Sequence, residues 1–175
     1  MRMTKKLPLY SAFALFFLAL ALVLSSGCDN RAEQAAAYND RVVSLQTDLV
    51  TRLNALDSAL NNLDTEQAER LRLELLERLN MHFTALDSFG SFEEDTELIE
   101  ASKNLFTAYS KVVSTDYARF IALMSLPDTQ FTTDAQEEAF RLEKRLISQV
   151  DSAHEAFRLR QEAFGARYRL VFETP

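Results

Sequence analysis

The sequence predicts an all-α protein: an up-down-up-down four-helix bundle preceded by a signal-peptide helix. Three observations predict it. Between residues 28 and 175 the only glycines are Gly90 and Gly165 and the only prolines are Pro127 and Pro175, so long stretches carry no local breaker. Leucine and phenylalanine recur there in steps of three and four, the spacing that gathers side chains on one helical face. Alternating β-branched runs and Asn-Gly or Asp-Gly hairpin turns are missing.

The first helix of the bundle is expected from about Asp29 to Leu63. Val42, Leu45, Leu49, Leu53, Leu56, Leu60 and Leu63 form its apolar stripe. One pair of consecutive four-residue steps makes an eleven-residue stretch among the heptads, which locally relaxes a left-handed coiled coil. The helix stops in Asn61-Asn62-Leu63-Asp64-Thr65, residues suited to turns and caps. The second helix starts at Asp64 or Thr65, where Asp64 and Gln67 make a capping box. Ala68, Leu71, Leu75, Leu79, Phe83 and Leu86 form its stripe, with Leu76 and Phe89 beside it. Glu66 with Arg70 and Glu74 with Arg78 are expected ion pairs on its wet side. Gly90 ends it.

The third helix is expected near Asp95, behind an alternative capping box of Ser91 and Glu94. The acidic run Glu93-Glu94-Asp95 complements the positive end of its dipole. Leu98, Leu105, Tyr109, Val112, Val113, Phe120 and Met124 supply the stripe, and Pro127 closes it. The fourth helix is capped by Thr133 with Gln136 or by Asp134 with Glu137. Its stripe is Ala139, Phe140, Leu146, Ile147, Val150, Phe157 and Phe164, with Gly165 a point where it ends or weakens. Arg158, Arg160, Arg167 and Arg169 gather toward its negative end. Short links permit only antiparallel neighbours, hence a bundle.

Ahead of the bundle, Arg2, Lys5 and Lys6 precede an uncharged run from Leu7 to Leu24, and small residues follow. A basic start, an apolar core and a small-residue end make a secretory signal, so residues 1–27 are expected to be removed and 28–175 to be the mature domain. The apolar run is also just long enough for an uncleaved membrane anchor. Ordinary secretion with a free Cys28 thiol is the other alternative. Leu24-Ser25-Ser26-Gly27-Cys28 resembles the lipobox read by the lipoprotein signal peptidase. Ser25 departs from the usual large aliphatic residue, and Leu24 sits one place early. The resemblance implies acylation, palmitate included, on Cys28 and anchoring in the cell envelope. Asp29, followed by Asn30, resembles the inner-membrane retention signal of enteric bacteria. Inner membrane, outer membrane and cell surface stay open.

Cys28 is the single cysteine, so no intramolecular disulfide forms. The signal removes three of 19 basic residues and none of 26 acidic ones, leaving a mature charge of −10. Such a surface repels phosphate backbones and excludes nucleic acid as a partner. It also disfavours anionic head groups, so the acyl chains must do the holding.

Candidate chemistry is sparse. His154 follows Asp151 by three residues, the spacing of half a di-iron ligand set, but the second half is missing. Haem bound by His82 or His154 with Met81 or Met124 is conceivable, without a Cys-x-x-Cys-His attachment site. Glu93-Glu94-Asp95 lacks the spacing of a calcium loop, and no nucleophile elbow is present. We therefore expect no catalytic residues, no cofactor and no metal. The lipobox, the Tyr38-Asn39-Asp40 that follows it and the Leu- and Phe-rich helices resemble uncharacterised helical surface lipoproteins of Gram-negative-type bacteria. That resemblance implies a helical domain of unknown role and supplies no active residues.

The expected function is a non-enzymatic envelope module that binds a protein partner or serves a structural role. The alternative is a bundle carrying a metal, haem or small apolar ligand. An interior with converging histidines and carboxylates favours the carrier; one of Leu, Phe and Val alone favours the scaffold. The candidate partner contact is the bundle tip away from the membrane, through Leu126 and Phe131 of the longest loop. Folding back of that pair to plug the core is the competing reading.

Overall fold

The computed structural model describes residues 30–170. The predicted signal-peptide helix and Cys28 lie outside them. The architecture is all-α. Helix α1 spans Asn30–Asn61 and α2 Thr65–Phe89. Helix α3, Glu97–Val112, runs through a π-helical turn, Val113–Tyr117, into α4, Ala118–Met124. These three runs make one continuous third leg. Helix α5, Thr133–Tyr168, is the fourth. Among the described residues the only strand-like feature is an isolated bridge between Phe92 and Asp95.

The turns follow from local chemistry. At the end of α1, the Leu63 amide donates to the Leu60 carbonyl and the Asp64 amide to the Ala59 carbonyl, a Schellman motif. Leu63 therefore sits at the left-handed position, φ 57°, where glycine or asparagine is the usual occupant. Asp64 caps α2 by accepting the Gln67 amide at 2.9 Å. The reciprocal half of the predicted box is absent, because the Gln67 side chain accepts from Arg70 instead. Gly90 closes α2 at φ 64°.

Three other predicted ends shift. The third leg starts two residues past Asp95, whose carboxylate accepts the Glu97 amide at 2.9 Å, so the Ser91–Glu94 box is not used. Helix α5 is capped by Thr132, one residue ahead of Thr133, through the Ala135 amide. It passes straight through Gly165, which is buried, and ends where Arg169 turns left-handed. The Glu66–Arg70 pair forms at 2.7 Å. The Glu74–Arg78 pair does not: Arg78 reaches across to Asp48 on α1.

The core runs the length of the four legs. Leu49, Leu53, Leu56, Leu75, Leu79, Leu86, Leu98, Leu105, Phe106, Tyr109 and Phe120 are almost wholly enclosed. Each fully buried side chain of this kind stabilises by roughly 1.5–3 kcal/mol. The stripe prediction fails at Phe140 and Ile147, which are 49% and 41% exposed, and at Leu63, 47% exposed. On α2, Arg72 and His82 are buried beside the leucines. The third leg packs extensively against both α5 and α2, and α1 against α2; of the neighbouring legs, α1 and α5 share the least contact.

Candidate functional site

Three regions gather chemistry: the base, the tip and a polar layer inside the bundle. At the base, Ala35, Ala36 and Tyr38 bury the second turn of α1. The Tyr38 hydroxyl donates to the Gly90 carbonyl at 2.6 Å, which ties α1 to the turn after α2. Its ring joins Phe92, Phe164 and Tyr168 in an aromatic cluster with centroids 4.7–5.8 Å apart. Arg31 pairs with Glu93 and lies over the Tyr168 ring at 5.4 Å. Arg167 donates to the buried Asp95 at 2.5 Å, and Arg160 to Glu97 at 3.1 Å. The predicted acidic start of the third leg and the arginine cluster thus meet through Arg167–Asp95 and Arg160–Glu97, while Arg158 pairs with Glu155 and Glu162 on α5 itself. They border a cleft of about 580 Å³ lined by Arg31, Glu93, Glu94, Asp95, Arg167 and Tyr168.

At the tip, Leu126 and Phe131 are half-buried and pack against the core. The Phe131 amide donates to the Pro127 carbonyl at 3.0 Å, which curls the loop inward.

Inside, polar side chains bridge the legs. His154 meets Tyr109 of α3 through Nε2 and Gln46 of α1 through Nδ1, the latter at 3.3 Å. Gln161 donates to Asn39 across the same α1–α5 seam at 3.0 Å. Tyr117 donates to Asp57 of α1 at 2.7 Å. The π turn makes this reach possible. Its extra residue buries both Asp116 and Tyr117, with Asp116 accepting from Arg145 at 2.7 Å and Gln149 at 3.3 Å on α5. His82, on α2, pairs with Asp48 at 2.7 Å, and Arg52 binds the same carboxylate.

Burial sets the proton affinities. Desolvation pushes the Asp57 carboxyl up to about 6, against the Tyr117 hydrogen bond, which favours the charged form. The Tyr109 phenol is raised by burial and by the charges of Asp151 and Asp57. Burial and Asp57 raise Tyr117 as well. Burial lowers His154 against the pull of Asp151, which keeps the imidazole neutral at pH 7. Desolvation of Asp48 is outweighed by hydrogen bonds from Arg52 and His82, so its carboxylate stays below the usual range. The layer can take up and release protons and can hold helices in register.

The sequence singled out His154, His82 and Asp151 but missed Gln46, Asp57, Asp116 and Tyr117. A carboxylate at Asp57, among Leu53, Leu56 and Leu60, was the legible signal for one of them. Asp151 is exposed, so it does not join His154 in a closed ligand set. Met81 is exposed and Met124 half-buried. Among the described residues, no three His, Cys, Asp or Glu side chains converge as metal ligands would, and every buried side-chain polar atom has a hydrogen-bond partner. Nor, among them, is any helix long and apolar enough to cross a membrane. In comparisons with known proteins, no family model, no curated protein and no solved structure matches this chain.

Proposed function

We propose that the chain is an exported lipoprotein, cut after residue 27 and acylated on Cys28. Its bundle is a non-enzymatic docking module at the cell envelope. The supporting observation is the start of α1. The helix is already formed at Asn30, two residues beyond Cys28, and its second turn is sealed into the base by Ala35, Ala36 and Tyr38. A lipid on Cys28 would have almost no slack. The base would rest on the bilayer, and α1 would carry the tip about 48 Å outward. The mature charge of −10 supports a protein partner over nucleic acid.

Metabolic labelling with a clickable fatty acid tests the anchor. Wild type takes the label; Cys28→Ala stays as uncleaved precursor or is released, without label. Label persisting on Cys28→Ala defeats the reading.

The carrier reading has one observation on its side, the inward-facing Asp57 and His154. It is the weaker of the two, because both groups are hydrogen-bonded to neighbouring side chains.

A further inference from the structure

We propose that the outward edge of α2, with the turn that enters it, docks a basic partner segment carrying an apolar face. The proposal rests on the docking-module reading and names where, and to what chemistry, the module binds.

Six large apolar side chains are exposed among the described residues: Leu63, Leu73, Met81, Phe140, Ile147 and Leu159. Three of them belong to α2 and its entry turn. Leu73 and Met81 are each 53% exposed, about 12 Å apart along the helix and about 80° apart around it, with Glu77 between them, a span that one opposing amphipathic segment can cover. On α5, by contrast, the Phe140 ring already carries the Lys144 ammonium at 4.3 Å. Leu126 and Phe131 of the tip loop turn into the core.

Charge selects the partner. Glu74 and Glu77 lie between Leu73 and Met81 and make no ion pair among the described residues. The nearby cations are engaged elsewhere: Arg70 on Glu66, Arg72 on Glu69 and Arg78 on Asp48. The edge therefore offers two apolar knobs around two unneutralised carboxylates. Lysines or arginines flanking an apolar stripe would complement it. The thioether of Met81 adapts to varied shapes.

Leu63 supplies independent support. It holds a left-handed backbone that leucine adopts at a cost, and its side chain is 47% exposed, so core packing does not repay the strain. Folding alone would be served better by glycine there. Its exposed side chain extends the apolar edge onto the turn that enters α2.

The test places a photocrosslinking benzoylphenylalanine at Asn80, exposed beside Met81 on the same edge, or at Glu155 on the outer face of α5, in the full-length protein in its native envelope. Adducts are then read at the peptide level. Adducts from Asn80 on a Lys- or Arg-rich segment, lost with Leu73→Ser/Met81→Ser and with Glu74→Lys/Glu77→Lys, are the expected result. The Leu63→Gly variant should melt at a higher temperature and yet crosslink several-fold less; equal crosslinking removes the strain argument and overturns that part. Adducts from Glu155 alone overturn this edge but keep a docking module. Adducts from neither position sink the docking reading itself. Adducts to a second copy of this chain, or to an acidic segment, overturn the proposed partner chemistry.

Discussion

Replacing Asp57 by asparagine should stabilise the protein at neutral pH. The folded carboxyl titrates at about 6, against 3.8 for the unfolded group. A group whose folded pKa is raised contributes stability that is complete below the unfolded pKa and lost as pH rises through the folded one. The difference of roughly two units, at about 1.4 kcal/mol per unit, sets an upper bound of about 3 kcal/mol for the cost of ionised Asp57 at pH 7. Asparagine keeps the shape and the oxygen that accepts from Tyr117 but carries no charge. Asp57→Asn should therefore be more stable than wild type by about 1–3 kcal/mol near pH 7. The gap should close toward about pH 4, where wild-type Asp57 is protonated. Urea denaturation followed by circular dichroism, at several pH values across that window, measures it. Other carboxylates held below their usual range, such as Asp48 and Glu69, impose the opposite slope on both proteins and cancel in the difference. A destabilised Asp57→Asn at pH 7, or a gap that does not change with pH, refutes the argument.

Three further outcomes are expected. His154 is held neutral by burial, so its contribution is present above about pH 6.5 and lost as pH falls below it; His154→Gln should flatten that acid loss in the same urea series, at a cost of about 1–2 kcal/mol at neutral pH. Phe131→Ala should cost about 2 kcal/mol in a thermal or urea melt, less than a fully buried Phe, since the ring is half-buried against the core. A chelator should leave the helical circular dichroism signal and the melting temperature unchanged, and a large loss of either would point to a structural metal.

Periodicity made the fold legible because leucine spacing and the scarcity of breakers act locally. Asp64, Gly90 and Pro127 marked ends through their own backbone chemistry, and the structure ends or starts helices beside each of them. The α5 cap moved by one residue because Thr132, Thr133 and Asp134 are all competent caps, and local chemistry does not choose between them; the structure uses Thr132, whose hydroxyl accepts the Ala135 amide. Phe140 and Ile147 fit the stripe by spacing and lie two heptads and one heptad before His154 on α5, yet stay 49% and 41% exposed, and a helical wheel does not report how closely a neighbouring helix covers a face. The π turn was illegible for a related reason. It saves no local energy; its return is the three long-range bonds made by Asp116 and Tyr117, whose partners lie 29, 33 and 60 residues away.

Those partners explain why the seam is polar at all. Asn39 and Gln46 lie one heptad apart on α1, and His154 and Gln161 lie one heptad apart on α5. Sliding α5 along α1 by a turn breaks both pairs together and strands four buried or half-buried polar groups. A seam of leucines would tolerate that slide, because apolar contact is indifferent to register. Tyr117 on Asp57 fixes the third leg against α1 in the same way, through a hydrogen bond that only one height of the helix can make. The α1–α2 and α3–α5 interfaces hold the bundle by burial, while the looser α1–α5 seam sets its alignment by polar pairing. The raised pKa of Asp57 and the lowered pKa of His154 are costs of that alignment. They fall on α1, the helix that would carry the lipid anchor, and on α5, the leg whose height that seam sets.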